Sequence, residues 1–444
     1  MKQLPKGSKK ILNAWAFYDW ANSVYSLVIA SAVFPIFYGA LTILKDESGN
    51  TIDDTVRFLG FDFNNDSLIS YVTAGAFLVV SIISPFLSGI ADYVGNKKNF
   101  LKFFCYLGAV SCIGLYWFNL ENLWFGLLCY FLALIGFWAS LVFYNSYLPD
   151  IAFPEQQDKV SAKGFSLGYI GSVILLLICL IMIIKHEWFG FENADFPTRF
   201  SFVLTGVWWI GFSQITYHYL PKGNRKQRLT NDVLFNGFRE LKKIWISLKH
   251  NLQLKRYLGA FFVYSMAVQT VMLIATYFGI EEIDWSGQDA TMGLIISILL
   301  IQLVAVAGAI LTSRISAKLG NINTLVLINA IWIAICIFAY FVTTPVQFYI
   351  TAGFVGLVMG GIQALSRSTY SKMLPENAID TASYFSFYDV AEKIGIVIGM
   401  SLYASIGQAT GSVRYSIMFL GLFFLVGLIL LLRVPGRNIK TKNL

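Results

Sequence analysis

Residues 88–101 read SGIADYVGNKKNFL, and residues 313–326 read SRISAKLGNINTLV. Laid one over the other they share Ser, Ile, Gly and Asn, and each follows a long apolar run. The same spacing, within one residue, sets YNSYLPDI (144–151) over YSKMLPEN (370–377). A third pair, AWAFYDWA (14–21) over AFFVYSMA (260–267), is out of step by about the length of an acidic segment at 45–66. One insertion after the first apolar run reconciles all three, so the chain is an internal repeat of two similar halves.

Each half is built for lipid. The chain is 57% hydrophobic and 13% charged, with a mean hydropathy of +0.64, which a soluble domain of this length cannot bury. Twelve apolar runs are long enough to cross a core of roughly 30 Å: residues 13–41, 68–91, 100–118, 122–147, 161–184, 200–220, 257–280, 290–312, 323–343, 347–373, 383–406 and 415–433. The expected architecture is an all-α membrane protein with a six-helix bundle over 1–220, a linker over 221–256 and a second six-helix bundle over 257–444. The charged start MKQLPKGSKK leads into a run too long for a signal peptide, and no cleavage pattern follows.

Charge placement orients the helices. Of 33 Lys and Arg, only Lys45, Arg57, Lys185, Arg199 and Arg414 fall in the odd-numbered loops, and Arg367 and Lys393 lie within helices. The rest flank the even-numbered loops and the termini, so the positive-inside rule sets both termini in the cytoplasm of a multi-pass protein of the cell (plasma or inner) membrane. The +8 net charge then reflects topology and anionic lipid, not nucleic acid. In the linker, Leu234, Phe238, Leu241, Trp245 and Leu248 recur at three- and four-residue steps among Arg239, Lys242, Lys243 and Lys249, an amphipathic helix suited to the inner membrane surface.

Chemistry is sparse. Five cysteines lie inside apolar runs with no metal or disulfide spacing. His186 and His218 fall at helix ends and His250 in the linker, which argues against a buried histidine relay. DFNNDS (62–67) opens like a calcium loop but lacks its later Gly and Glu, and neither GxxxxGK[ST] nor HExxH occurs. No enzyme chemistry, cofactor or metal site is expected.

Polar stripes are the exception. Asp19, Asn22, Ser23 and Ser26 share one face of the first run, and Gln363, Ser366, Arg367 and Tyr370 share one face of the tenth. Ser265, Gln269 and neighbouring Tyr264 mark the seventh, and Asn145 with Ser146 the fourth. A carboxylate in mid-helix costs about 2.5–3.5 kcal/mol in a bilayer, so Asp19, Arg367, Asp389, Glu392 and Lys393 need a wet cavity or opposite charges. All five are expected toward the cytoplasmic ends of their helices. Asp389 and Lys393, four apart, could neutralise one another. Asp19 and Arg367 sit on opposite halves, where three roles compete: a gate, contacts for a charged solute, or proton coupling at Asp19. Depth favours the gate. Glu392 is a further candidate for proton coupling.

Twelve spans in two parallel halves resemble the major facilitator superfamily. ADYVGNKK is similar to its signature after the second helix, with Asp92, Gly95, Lys97 and Lys98 in place and Ser88 where Gly is usual. The resemblance implies a central cavity lined by helices one, four, seven and ten. AWAFYDWANSVY (14–25), VFYNSYLPDIA (142–152), GGIQALSRSTYSKMLP (360–375) and FSFYDVAEKIG (385–395) resemble more narrowly the vacuolar-effluxer-like, autophagy-related branch, also called "unknown major facilitator". That likeness implies efflux of amino acids from the vacuole in its fungal members, and no settled substrate in the compact members that this chain is more like. The expected function is a secondary transporter working as a monomer by alternating access, moving a small polar or zwitterionic, amino-acid-like solute, more often outward, with protons a candidate coupling ion. An exporter of amphiphiles and a non-transporting receptor or scaffold are the alternatives.

Overall fold

A computed structural model of the chain describes residues 4–45, 51–222, 233–375, 378 and 380–435. Among these, eleven helices are long and apolar enough to span a bilayer. In order they are Lys9–Thr42, Ser67–Val94, Lys97–Trp117, Leu123–Ile151, Pro154–Ile184, Leu252–Glu282, Ala290–Leu319, Asn321–Tyr340, Pro345–Met373, Thr381–Thr410 and Val413–Leu432. The expected sixth run forms a helix at Asp195–Tyr219 that is too polar to join them by composition. Its 25 residues still reach about 37 Å. Four of its hydroxyls are satisfied by carbonyls: Thr198, Ser201 and Thr205 donate to those four residues back, and Thr216 donates to Ala14 O of the first span at 2.7 Å. Polar groups paired in this way tolerate lipid. It packs against the first and third helices and completes twelve spans, numbered below in chain order.

The spans form two six-helix bundles, each with its own apolar core. Small residues let spans approach closely. In the fifth, Gly164, Gly168 and Gly171 face Asp19, Ser23 and the Trp20 carbonyl of the first. Gly308 of the eighth and Gly356 and Gly360 of the tenth do the same for that pair. The bundles meet where the second and fourth spans pack on the eleventh, and where the fifth packs on the eighth and tenth. In the two repeated loops Gly95 and Gly320 hold φ of 71° and 81°, a conformation in which a side chain is strained. The shared glycine of the repeat is therefore a backbone requirement.

Three features depart from the sequence reading. The first span runs as a π-helix from Tyr25 to Val33, just before Pro35, which cannot donate to the ladder; Ser31 Oγ donates five residues back to Ser26 O at 2.8 Å. The acidic segment after it is folded as hairpins, Leu44–Lys45 with Thr51–Asp53 and Thr55–Phe58 with Phe61–Asn64. Leu59 and Gly60, at φ 51° and 86°, make the second a tight primed turn. The start of DFNNDS is thus strand, and no group of three or more acids, Cys or His is placed to hold a metal among the described residues. Third, the linker helix Val233–His250 packs on the second span and touches the seventh and eleventh. Ile244 and Leu248 are buried, whereas Trp245 is exposed, and Ser247 Oγ lies 2.9 Å from Tyr384 Oη. The expected stripe is therefore partly turned to protein; the side chains of Leu234 and Phe238 lie outside the described residues.

Candidate functional site

A cavity of about 250 Å³ opens between the bundles. Asp19, Asn22, Ser23, Asn145, Tyr264, Gln269, Gln363, Ser366 and Arg367, the expected cavity residues, all line it. Of the expected gate residues Glu392 lines it as well, whereas Asp389 and Lys393 lie behind the wall. Spans one, four, seven and ten contribute as expected, but so do the fifth through Phe165, Tyr169 and Ser172 and the eleventh through Tyr388 and Glu392.

The floor is an ion pair between bundles. Arg367 Nη2 donates to Asp19 Oδ2 at 3.1 Å, and both side chains are buried. Nη2 also reaches Ser161 O at 3.0 Å, Nε reaches Ser161 Oγ at 2.9 Å, and Nη1 reaches Asn145 Oδ1 at 3.2 Å. The guanidinium lies over Phe165 at 4.2 Å and Trp15 at 4.8 Å. All of these partners belong to the first, fourth and fifth spans, so a tenth-span side chain is held wholly by the other bundle. Tyr144 Oη donates to Asp19 Oδ2 at 2.8 Å, and Tyr144 is itself stacked on Trp15 at 4.5 Å. Arginine suits the task, because its flat fork can donate in several directions while stacking on rings.

Above the floor the polar stripes interlock. Tyr264 Oη lies 2.7 Å from Ser366 Oγ, and Tyr257 Oη donates to Ser366 O at 2.9 Å. Tyr169 Oη donates to Gln363 Oε1 at 2.6 Å, a second link between bundles. Gln269 Nε2 donates to Glu392 Oε1 at 2.6 Å. Lys393 Nζ contacts Asp389 Oδ1 at 2.9 Å and Glu392 Oε2 at 2.8 Å. Glu392 and Lys393 sit about three turns into the eleventh helix, nearer its middle than the end where they were expected.

Below the floor, on the face where the first span begins and the twelfth ends (the terminus face), the bundles are locked twice. Asp92 accepts from Ser383 N and Ser383 Oγ, both at 2.7 Å, and from Ala382 N at 3.3 Å. A carboxylate there satisfies the free amides and positive end of the eleventh helix. Lys97 pairs with Asp150 and donates to Thr381 Oγ1 at 2.6 Å. In the mirror position Asp158 of the fifth span accepts from Lys372 at 2.6 Å, Asn321 Nδ2 at 2.9 Å and Ser316 Oγ at 3.3 Å. Lys98 acts within its own bundle, donating to Leu220 O at 2.8 Å beyond the sixth helix. The cavity continues the other way, past Ser26 and Ser31.

Sequence reasoning missed Trp15, Tyr144, Ser161, Phe165 and Tyr169. The Gly164, Gly168 and Gly171 spacing could have shown that the fifth helix abuts the first. The Asp158 lock is spread over four spans and leaves no local pattern.

The chain matches the family described as "Vacuole effluxer Atg22 like" over residues 7–443. It is 30% identical over 430 residues to the uncharacterized MFS-type transporter YxiO of Bacillus subtilis (strain 168), covering 95% of this chain and 94% of that protein. It is 24% identical to autophagy-related protein 22-2 of Aspergillus oryzae, over 87% of this chain and 76% of that one. Among solved structures, the proton:xylose symporter XylE superposes with a TM-score of 0.68 at 14% identity, covering 96% of this chain and 95% of that one. The transporter FucP in its outward conformation gives 0.64 at 13%, covering 95% and 97%. With the two-bundle fold and its cavity, these matches show that the chain belongs to the vacuole effluxer Atg22-like family of major facilitator transporters.

Proposed function

We propose that the chain exports a small zwitterionic solute of amino-acid type by alternating access, exchanging it for protons and working as a monomer. The bundles at 1–220 and 257–444 would be the rocking bodies, with 221–256 as their linker. Both termini would lie in the cytoplasm of the cell membrane, as the Lys and Arg distribution favours.

The observation that carries this is the Asp19–Arg367 floor. A side chain bound entirely by the opposite bundle must let go when the bundles rock, and while it holds, the terminus face is shut. The gate is its first role. A zwitterion could ease its opening, because an ammonium can replace Arg367 at Asp19 while a carboxylate replaces Asp19 at Arg367. The charges then stay paired throughout, and the cost of a lone buried ion is avoided. Size supports the same reading: about 250 Å³ lies below the roughly 300–1,000 Å³ of drug-sized pockets. Efflux is the direction that the family description, vacuole effluxer Atg22 like, favours.

The aromatic wall of Phe77, Phe137, Trp138, Phe165 and Phe261 favours a second reading, export of an amphiphile. Flux of labelled amino acids into and out of proteoliposomes, with and without a pH gradient, separates the two. Accelerated amino-acid flux is expected; stabilisation by amphiphiles in a thermal-shift screen, with no flux of any amino acid, would overturn the substrate assignment.

A further inference from the structure

Behind the cavity wall lies a charge cluster that the gate does not use. Asp389, Glu392 and Lys393 share one contact set: a single ammonium between two carboxylates. The sum is one negative charge. Lys393 is fully buried, and the Asp389 side chain is only 7% exposed. Asp389 Oδ2 is buried and accepts no hydrogen bond from the protein, whereas the Glu392 side chain, at 18% exposure, reaches the cavity.

The contrast with the floor decides what this cluster is for. Asp19 and Arg367 cancel one another, so a proton on Asp19 would break a complete arrangement. The eleventh-span cluster has an acceptor oxygen to spare and a charge left over, both costly in an apolar interior. One proton from cavity water converts a carboxylate to a carboxylic acid and brings the cluster to neutrality.

The cluster also touches the other bundle. Lys393 Nζ sits 3.6 Å from the centroid of the Trp138 ring on the fourth span. Its hold on that ring depends on how strongly the carboxylates hold it. We propose that Asp389, Glu392 and Lys393 form the proton-binding site of this transporter, with Glu392 as its opening to the cavity and the Lys393–Trp138 contact tying proton loading to the relative position of the bundles. This rests on the proton-coupled transport reading above and names the site that serves it.

The surroundings are compatible. Lys393 and Glu392 are the charged groups acting on Asp389. Tyr264 from the seventh span and Tyr388 from the eleventh face Glu392, and Tyr388 also senses Arg367 of the tenth. The fourth span contributes Trp138, while the second and twelfth spans and the linker helix add no acid or base acting on Asp389 among the described residues.

Infrared difference spectroscopy of the full-length protein in lipid, recorded across a pH titration, tests this without any transported solute. A protonated-carboxyl band from a buried acid is expected in the unaltered protein and in Asp19→Asn. It should be lost or shifted in Asp389→Asn and in Glu392→Gln, the latter on the cavity wall and the milder change for folding. No such band in the unaltered protein, a band that survives both substitutions, or one that only Asp19→Asn removes would overturn the proposal. Absence of amino-acid flux would instead count against the transport reading and leave this result standing.

Discussion

Arg367→Ala isolates the link between the bundles. In the closed terminus face the guanidinium makes four hydrogen bonds to the opposite bundle and lies over three of its rings. Truncation leaves the Asp19 carboxylate with Tyr144 as its remaining side-chain donor. Removing one partner of a buried pair costs about 3–5 kcal/mol. The cavity on one side of Asp19 argues for the lower end, about 3 kcal/mol. Because Asp19 is hydrated once the bundles part, this penalty falls on the closed state alone. At about 1.4 kcal/mol per tenfold, closed-to-open balance shifts by roughly a hundredfold. Spin labels at Lys159→Cys and Lys318→Cys, exposed positions beside the Asp158–Ser316 contact, report it as a distance distribution. The native cysteines are buried and compete poorly for label. A short distance should dominate with Arg367 present and a longer one in Arg367→Ala. The combined Asp19→Asn, Arg367→Ala protein, with no charge left unpaired, should fall between them, and set against both single variants it should show a coupling of about 0.5–3 kcal/mol. An unchanged distribution in Arg367→Ala would refute the gate, and strict additivity would refute the pairing as its cause.

Gly164→Ala puts a Cβ against Asp19 Oδ2, with Arg367 Nη2 3.1 Å away. Overpacking should cost about 1–3 kcal/mol, read as a lower Tm, and should lengthen the same label distance. Lys372→Ala leaves Asp158 with Asn321 and Ser316; its open-state population should rise by less than in Arg367→Ala, since this pair is the more exposed. Asp92→Asn removes a negative charge from the start of the eleventh helix, a loss of about 0.3–2 kcal/mol visible as faster amide exchange at 382–385. Gly320→Ala, at φ 81° and ψ 157°, should lower stability by about 1–3 kcal/mol, read in a melting curve.

Much of the fold was legible because it is written in short-range patterns. Apolar run length gave the spans, the sixth at 200–220 included, where several hydroxyls bond to backbone carbonyls. The glycine of the repeat marks a backbone need, and the stripe from Asp19 to Ser26 marks a helix face. The hairpins after the first span leave no pattern in the sequence, since their strands of two to four residues are too short for alternation to stand out. The linker helix was assigned to lipid because amphipathicity states that one face is apolar and not what covers it.

From the sequence alone come two six-helix halves, polar faces on the first, fourth, seventh and tenth spans, and ionised groups that lipid would not tolerate unpaired. Which charge meets which was decided by tertiary structure. Arg367 could have paired with Asp19, Glu392 or Asp389, and helical spacing settles neighbours only within one helix. Its choice depends on glycines in the fifth span that let the first come close, and on rings and carbonyls from three spans gathered round one guanidinium. Burial of an ion pair is a property of everything surrounding it, and that surrounding exists only once the two bundles have packed.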